Sequence, residues 1–215
     1  MPRRRGNMAW SVRRRSLPRL LRRGVGAAVL ALMIGGMVAA DRFGVFGRAP
    51  EPDARKYDEQ TFAVVHVHDG DTIYLNAPDA GRDRTAVRLL SVDTPELGRE
   101  DRNPMYYGPR AAAATRKACA GKTVTIRLEP GGPSRDAYGR LLAWVYLPDG
   151  RLLNEWLVEQ GYGYVHPRYD NHLKQRLLRL QKKAMKAGRG LWAEVTEDQL
   201  PEYYRGKLEL PERPA

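Results

Sequence analysis

Four short groups hold side chains that could do chemistry together. They are Asp69-Gly70-Asp71-Thr72, the run Arg88-Leu89-Leu90-Ser91-Val92-Asp93-Thr94-Pro95-Glu96, Tyr107-Gly108-Pro109 and Asp136-Ala137-Tyr138-Gly139-Arg140. Each alone has an ordinary structural reading, since Asp-Gly is a turn dipeptide and acids at strand ends commonly form turns. As a set they offer two kinds of group. Asp71 and Asp93 are hard oxygen donors suited to Ca²⁺, which tolerates irregular geometry and backbone carbonyls. Two close carboxylates repel, and a divalent ion relieves that repulsion. Arg88 and Arg140 present planar forks that match phosphate and stay charged at any working pH. Attack of water on a phosphodiester adds charge at phosphorus, so a catalyst there needs cations, a positioned water and a base. Arg88 precedes Asp93 by five residues. In a straight strand an odd separation puts them on opposite faces. The chain must therefore bend near Val92–Pro95 if both are to face one ligand.

The elements that would position these groups read as mixed α+β. Phe62–His68 and Thr72–Leu75 are strand-like and flank Asp69-Gly70, a tight hairpin signal. Ala86–Val92, Thr123–Leu128 and Leu141–Leu147 complete five strands. Gly108–Ala120 and Leu152–Gln160 read as helices, each stopped by a glycine. Asn171–Ala187 is the clearest helix, with an apolar stripe of Leu173, Leu177, Leu180, Ala184 and Ala187 against a basic face. Five strands and three helices in this order suit an OB-type β-barrel with packed helices.

Charge and apolar patterning divide the rest of the 215 residues. Nine of the 37 basic side chains fall in residues 1–40, which contain no acid. Beyond them 28 basic residues face 25 acidic ones, so the net charge of +12 speaks of topology more than of nucleic acid. Gly24–Ala40 is an uncharged run of 17 residues behind this basic segment. It reads as a membrane anchor with the arginines in the cytoplasm, or as a signal peptide cleaved near Ala40. Either places the domain outside the cytoplasm. Residues 41–60 read as a linker, 61–195 as the folded domain and 196–215 as a polar tail. The single cysteine, Cys119, excludes an intramolecular disulfide and a Cys-rich zinc site, and sits in a small-residue run as a buried thiol. His66 and His68 share a strand face without a third metal ligand. His166 and His172 fall near the groove a substrate would use.

In order and spacing the four groups resemble the staphylococcal nuclease-like (thermonuclease) family. The resemblance spans about Phe62–Glu194 and includes Leu153-Asn154-Glu155, Gln160-Gly161 and Gly188-Arg189-Gly190-Leu191-Trp192. It implies a Ca²⁺-dependent endonuclease that hydrolyses DNA or RNA and leaves 3′-phosphate ends. It implies that Asp71, Asp93 and the Thr94 carbonyl hold the metal. Arg88 and Arg140 would contact phosphate, and Glu96 would act as general base. Ala137 stands where the family's best-known member has a lysine, and a base-stacking tyrosine position falls on Pro167. Tyr138 and Tyr169 are the expected substrate contacts, with Tyr162 and Tyr164 as alternative stacking faces or barrel packing. A non-catalytic OB module that binds nucleic acid or protein, and a membrane-tethered scaffold, are the competing readings. The chain is expected to act as a monomer.

Overall fold

The computed structural model describes residues 52–98 and 103–210. The basic segment, the apolar run 24–40 and residues 41–51 of the expected linker lie outside the described residues. Among the described residues no helix is long and apolar enough to cross a membrane.

In chain order the elements are α1 (Pro52–Tyr57), β1 (Thr61–Val67), β2 (Thr72–Leu75), β3 (Thr85–Leu89), β4 (Val92–Asp93), α2 (Gly108–Cys119), β5 (Thr123–Arg127), β6 (Leu141–Tyr146), α3 (Leu153–Glu159), β7 (Tyr164–Val165) and α4 (Lys174–Lys186). Two 3₁₀ turns, Gly190–Ala193 and Glu197–Gln199, follow. The five long strands close a barrel in the order β1-β2-β3-β6-β5. All neighbours run antiparallel except β3 and β6, which are parallel. The α+β class, the five barrel strands and the three later helices are as the sequence predicts.

Side-chain alternation explains the closure. Val64 and Val67 of β1 are buried while Val65 and His66 both face out. The register shifts between Val64 and His66, and such a bulge bends one strand and changes its phase. Five residues of β6 in a row, Leu141–Val145, are buried, because α3 covers the face turned away from the barrel interior. Helix α4 buries Leu177, Gln181 and Ala184. The apolar stripe thus runs through Gln181, a polar residue, where the sequence pattern points to Leu180.

Three boundaries differ from the sequence reading. The third strand stops at Leu89 rather than Val92, because Ser91 takes φ +61° and no strand passes through the left-handed region. Helix α1 lies inside the segment read as a linker: Tyr57 is fully buried, its hydroxyl pairs with Thr85 Oγ1 at 2.9 Å, and Asp53 is bound by Arg135 at 2.6 Å. The segment read as a polar tail buries Leu200 in a small cluster with Tyr164, Ala184, Leu191, Trp192 and Val195.

Cys119 is fully buried on α2 and donates to Thr115 O at 3.1 Å. Burial pushes its thiol up to about 12. It should therefore resist thiol reagents at pH 8 in the folded protein and react only on unfolding. Rapid native-state labelling, measured by mass spectrometry, would contradict this packing.

Candidate functional site

The turn after β1 brings the first carboxylates in. Asp69 Oδ1 accepts from the backbone N–H of Asp71 at 3.0 Å and of Thr72 at 2.7 Å, closing an Asx turn. Thr115 of α2 donates its hydroxyl to Gly70 O at 2.6 Å and pins the turn from behind. A Cβ on Gly70 would lie 2.6 Å from Thr94 Oγ1, so glycine is what lets this turn meet the Asp93–Glu96 segment. Asp71 is almost fully buried. Its Oδ2 accepts from Thr94 N at 2.7 Å and Thr94 Oγ1 at 2.9 Å, and its Oδ1 from Thr72 Oγ1 at 3.1 Å.

Cross-strand register places Arg88 directly opposite Thr72, beside Asp71. Arg88 is 6% exposed. Its Nε lies 3.1 Å from Asp71 Oδ1 and its Nη2 2.6 Å from Asp93 Oδ1. Nη1 donates to the carbonyls of Leu89 and Val92. Burial works against the Arg88 charge, and the carboxylates of Asp71 and Asp93 outweigh it, raising its pKa. One guanidinium thus reads both arms of the bend. The bend itself falls at Leu90-Ser91, earlier than the sequence places it. Asn154 of α3 donates to Leu90 O at 2.9 Å and Ala143 O at 3.2 Å, and accepts from Val145 N at 3.0 Å. Ser91 O accepts from His166 N at 2.9 Å, and Ser91 Oγ accepts from Asn171 Nδ2 at 2.6 Å. After the bend, β4 pairs with β7.

Arg140 enters just before β6. Asp136 holds its Nε at 2.7 Å, and its Nη1 reaches Thr72 Oγ1 at 3.4 Å, which in turn touches Asp71. Arg140 is half-buried, so part of its fork faces solvent. Tyr138 is 81% exposed, with the Arg140 guanidinium 5.4 Å from its ring centroid. Glu96 is exposed. Its carbonyl accepts from Met105 N at 3.0 Å, and a Cβ on Gly108 would come within 2.3 Å of that oxygen. The Tyr-Gly-Pro group therefore serves to let α2 start against Glu96. Tyr169 is half-buried, its ring 5.3 Å from that of His166.

Other expected contacts go elsewhere. Tyr164 is buried in the small cluster, and Tyr162 packs between Tyr107 and Trp156. His172 binds Glu129 at 2.8 Å and lies edge-on to Trp144 rather than facing any of these acids. His66 and His68 pack on Tyr74. A cavity of about 330 Å³ lined by Tyr146, Leu152, Glu155, Trp156 and Leu173 contains none of the site residues.

Sequence reasoning missed Tyr203. Its hydroxyl donates to Asp93 Oδ2 at 2.6 Å, from 110 residues away. Burial, then the Asp93 charge, raises its pKa and keeps it an O–H donor. No motif marks it. The only signal is a Tyr-Tyr pair in a segment otherwise read as polar.

The acids outnumber the cations that meet them. Burial, then the Asp71 charge, pushes Asp69 up to about 7, and Glu96 adds to the same effect. Among the described residues no three His, Cys, Asp or Glu side chains converge closely enough to cage a metal ion. The set consists instead of two carboxylates, Asp71 and Asp93, on either side of one guanidinium. Such oxygen donors with surplus negative charge fit a hard divalent cation that completes its shell with carbonyl and water.

The family described as "Staphylococcal nuclease homologue" matches residues 86–194. A thermonuclease of Staphylococcus hyicus is 31% identical over 172 residues, 79% of this chain and 94% of that protein. An uncharacterized endonuclease of Escherichia coli O157:H7 is 35% identical over 132 residues, 61% of this chain and 76% of that protein. An uncharacterized protein of Bacillus anthracis is 36% identical over 132 residues; the chain spans 59% of its length.

Asn154 is the fully buried clasp of the bend. Asn154→Ala takes away the side-chain partner of Leu90 O and Val145 N, while Ala143 O keeps Leu90 N at 2.9 Å, and should cost about 1–3 kcal/mol, read by urea denaturation. A variant as stable as wild type would show that the bend holds without it.

Proposed function

This chain belongs to the Staphylococcal nuclease homologue family, and we propose that it is a Ca²⁺-dependent endonuclease hydrolysing phosphodiester bonds of DNA or RNA to leave 3′-phosphate ends. The observation that carries this reading is the meeting of Asp71, Arg88, Asp93 and Arg140, from three separate chain segments, in one linked set of hydrogen bonds and ion pairs.

In this reading Asp71, Asp93 and the Thr94 carbonyl would hold Ca²⁺. When bound, the ion would offset charge on a phosphate oxygen and lower the barrier to attack by water. Thr94 orients Asp71 through two donors, so that carboxylate is fixed before any ligand arrives. Arg140, with part of its fork exposed, binds a non-bridging phosphate oxygen and stabilises the charge that grows there. Arg88, bonded to Asp71 and Asp93, adds its positive charge to the same site. Glu96, on the exposed side of the bend, accepts the proton of the attacking water. Tyr138 contacts phosphate beside Arg140, and Tyr169 contacts substrate along the His166 wall. Export is part of the same proposal: the basic segment and apolar run of residues 1–40 would place the domain outside the cytoplasm, anchored or released.

The purified protein should cleave denatured DNA or RNA with Ca²⁺, lose activity in chelator and release 3′-phosphate termini. Arg140→Ala should lower kcat/KM by ~10²–10³-fold, the loss typical of one transition-state donor. Full activity in chelator, or 5′-phosphate products, would overturn the reading.

A further inference from the structure

The segment after Val195 lies past the family match, which ends at residue 194, yet it reaches the centre of the site. It is built rather than draped. Thr196 and Gln199 close a capping box around the turn Glu197–Gln199. Leu200 is fully buried. Arg205 ties the segment to itself, donating to Leu200 O and Asp198 O at 2.8 Å each, and Gly206 N donates to Glu197 Oε1 at 2.9 Å. Tyr204 then fastens it to the domain: its hydroxyl donates to Val165 O of β7 at 2.6 Å and accepts from Gln181 Nε2 of α4 at 3.2 Å. Val165 is the β-partner of Val92, one residue from Asp93. The same buried Gln181 accepts from Val165 N at 2.7 Å. The strap is therefore locked to the strand pair that carries the candidate metal ligand.

We propose that Tyr203 is a positioning residue for Asp93, delivered by this C-terminal strap, so that both oxygens of that carboxylate are oriented by protein donors. The inference rests on the reading of Asp93 as a Ca²⁺ ligand. Arg88 holds Oδ1 at 2.6 Å and Tyr203 holds Oδ2 at 2.6 Å. Both bonds are charge-assisted and short. Each carboxylate oxygen has a second lone pair, so neither donor uses up its capacity to bind a cation. The Tyr203 ring is braced on His166, with centroids 4.8 Å apart, and on Tyr204 at 4.9 Å. Without the hydroxyl, the Asp93 carboxylate is held at one oxygen only and is free to rock about its terminal torsion. Partners that orient a ligand in this way typically change metal affinity or activity by ~10–100-fold when removed.

The test uses the full-length chain and Tyr203→Phe, which removes one oxygen and keeps the ring. Melting temperature is followed against Ca²⁺ concentration, because a ligand that binds only the folded state raises Tm by mass action. The Ca²⁺ concentration needed for a given rise in Tm should be at least ~10-fold higher in the variant. In turnover, kcat should fall at limiting Ca²⁺ with KM for DNA unchanged. Leu200→Ala, which loosens the strap without touching Asp93, should raise that Ca²⁺ concentration as well. A double-mutant cycle of Tyr203→Phe with Asp93→Asn reads the contact in metal-free protein, where the two losses of Tm should not add. If wild type gains Tm with Ca²⁺ and Tyr203→Phe makes the same gain at the same or a lower Ca²⁺ concentration, the positioning role is overturned while the nuclease reading stands. If wild type neither gains Tm with Ca²⁺ nor cleaves, the nuclease reading falls and this inference falls with it.

Discussion

The Arg88 guanidinium lies between two carboxylates, 3.1 Å from Asp71 and 2.6 Å from Asp93. A buried cation of this kind is costly to desolvate and stable only when its partners are well placed. Here the partners come from the turn before β2 and from the short strand after the bend, and Arg88 itself lies one residue before the end of β3. The barrel register already sets Thr72 opposite Arg88, and the ion set ties the short strand after the bend to that pair. It also leaves the site short of positive charge. Asp69 and Glu96 stand close by, and Asp69 responds by taking up protons more readily than an ordinary aspartate. A pocket of oxygen donors with more acid than cation is what a hard divalent ion needs, and Arg140 sits half-exposed at its edge to meet an anionic ligand.

Most of the surrounding structure holds this arrangement still. The left-handed Ser91 turns the chain so that residues five apart face one another, which a straight strand forbids. Asn154 satisfies the carbonyl at the bend and stitches α3 to β6. Gly70 and Gly108 admit close approach where any side chain would collide with Thr94 or the Glu96 carbonyl. Thr115 fixes the acidic turn to α2. These residues act on geometry, and their effect on chemistry passes through Asp71, Arg88 and Asp93.

The barrel and the charged groups were legible from sequence for different reasons. Strand alternation, glycine stops and the α4 stripe report local structure directly, so the five strands and three helices follow from residue order. The site acids and arginines were legible because ordered motifs carried them. What escaped was long-range. A bend at Leu90-Ser91 depends on Asn154, His166 and Asn171, none of which is near in sequence. Gln181 interrupts an apolar stripe because its amide serves β7 and Tyr204, a demand no periodicity displays. Tyr203 acts across 110 residues from a segment whose prolines and charges suggest a loose tail. Tyr57 is likewise buried from within a region that composition marks as a linker.

The central claim is that the carboxylates gathered around Arg88 form a binding site for a hard divalent cation. Calorimetric titration of Ca²⁺ into the wild-type chain and into Asp71→Asn tests it most directly. The account predicts saturable binding at a single site in wild type and its loss in the variant, with the variant still folded. Equal Ca²⁺ affinity in the two proteins, or no binding by wild type, would contradict it.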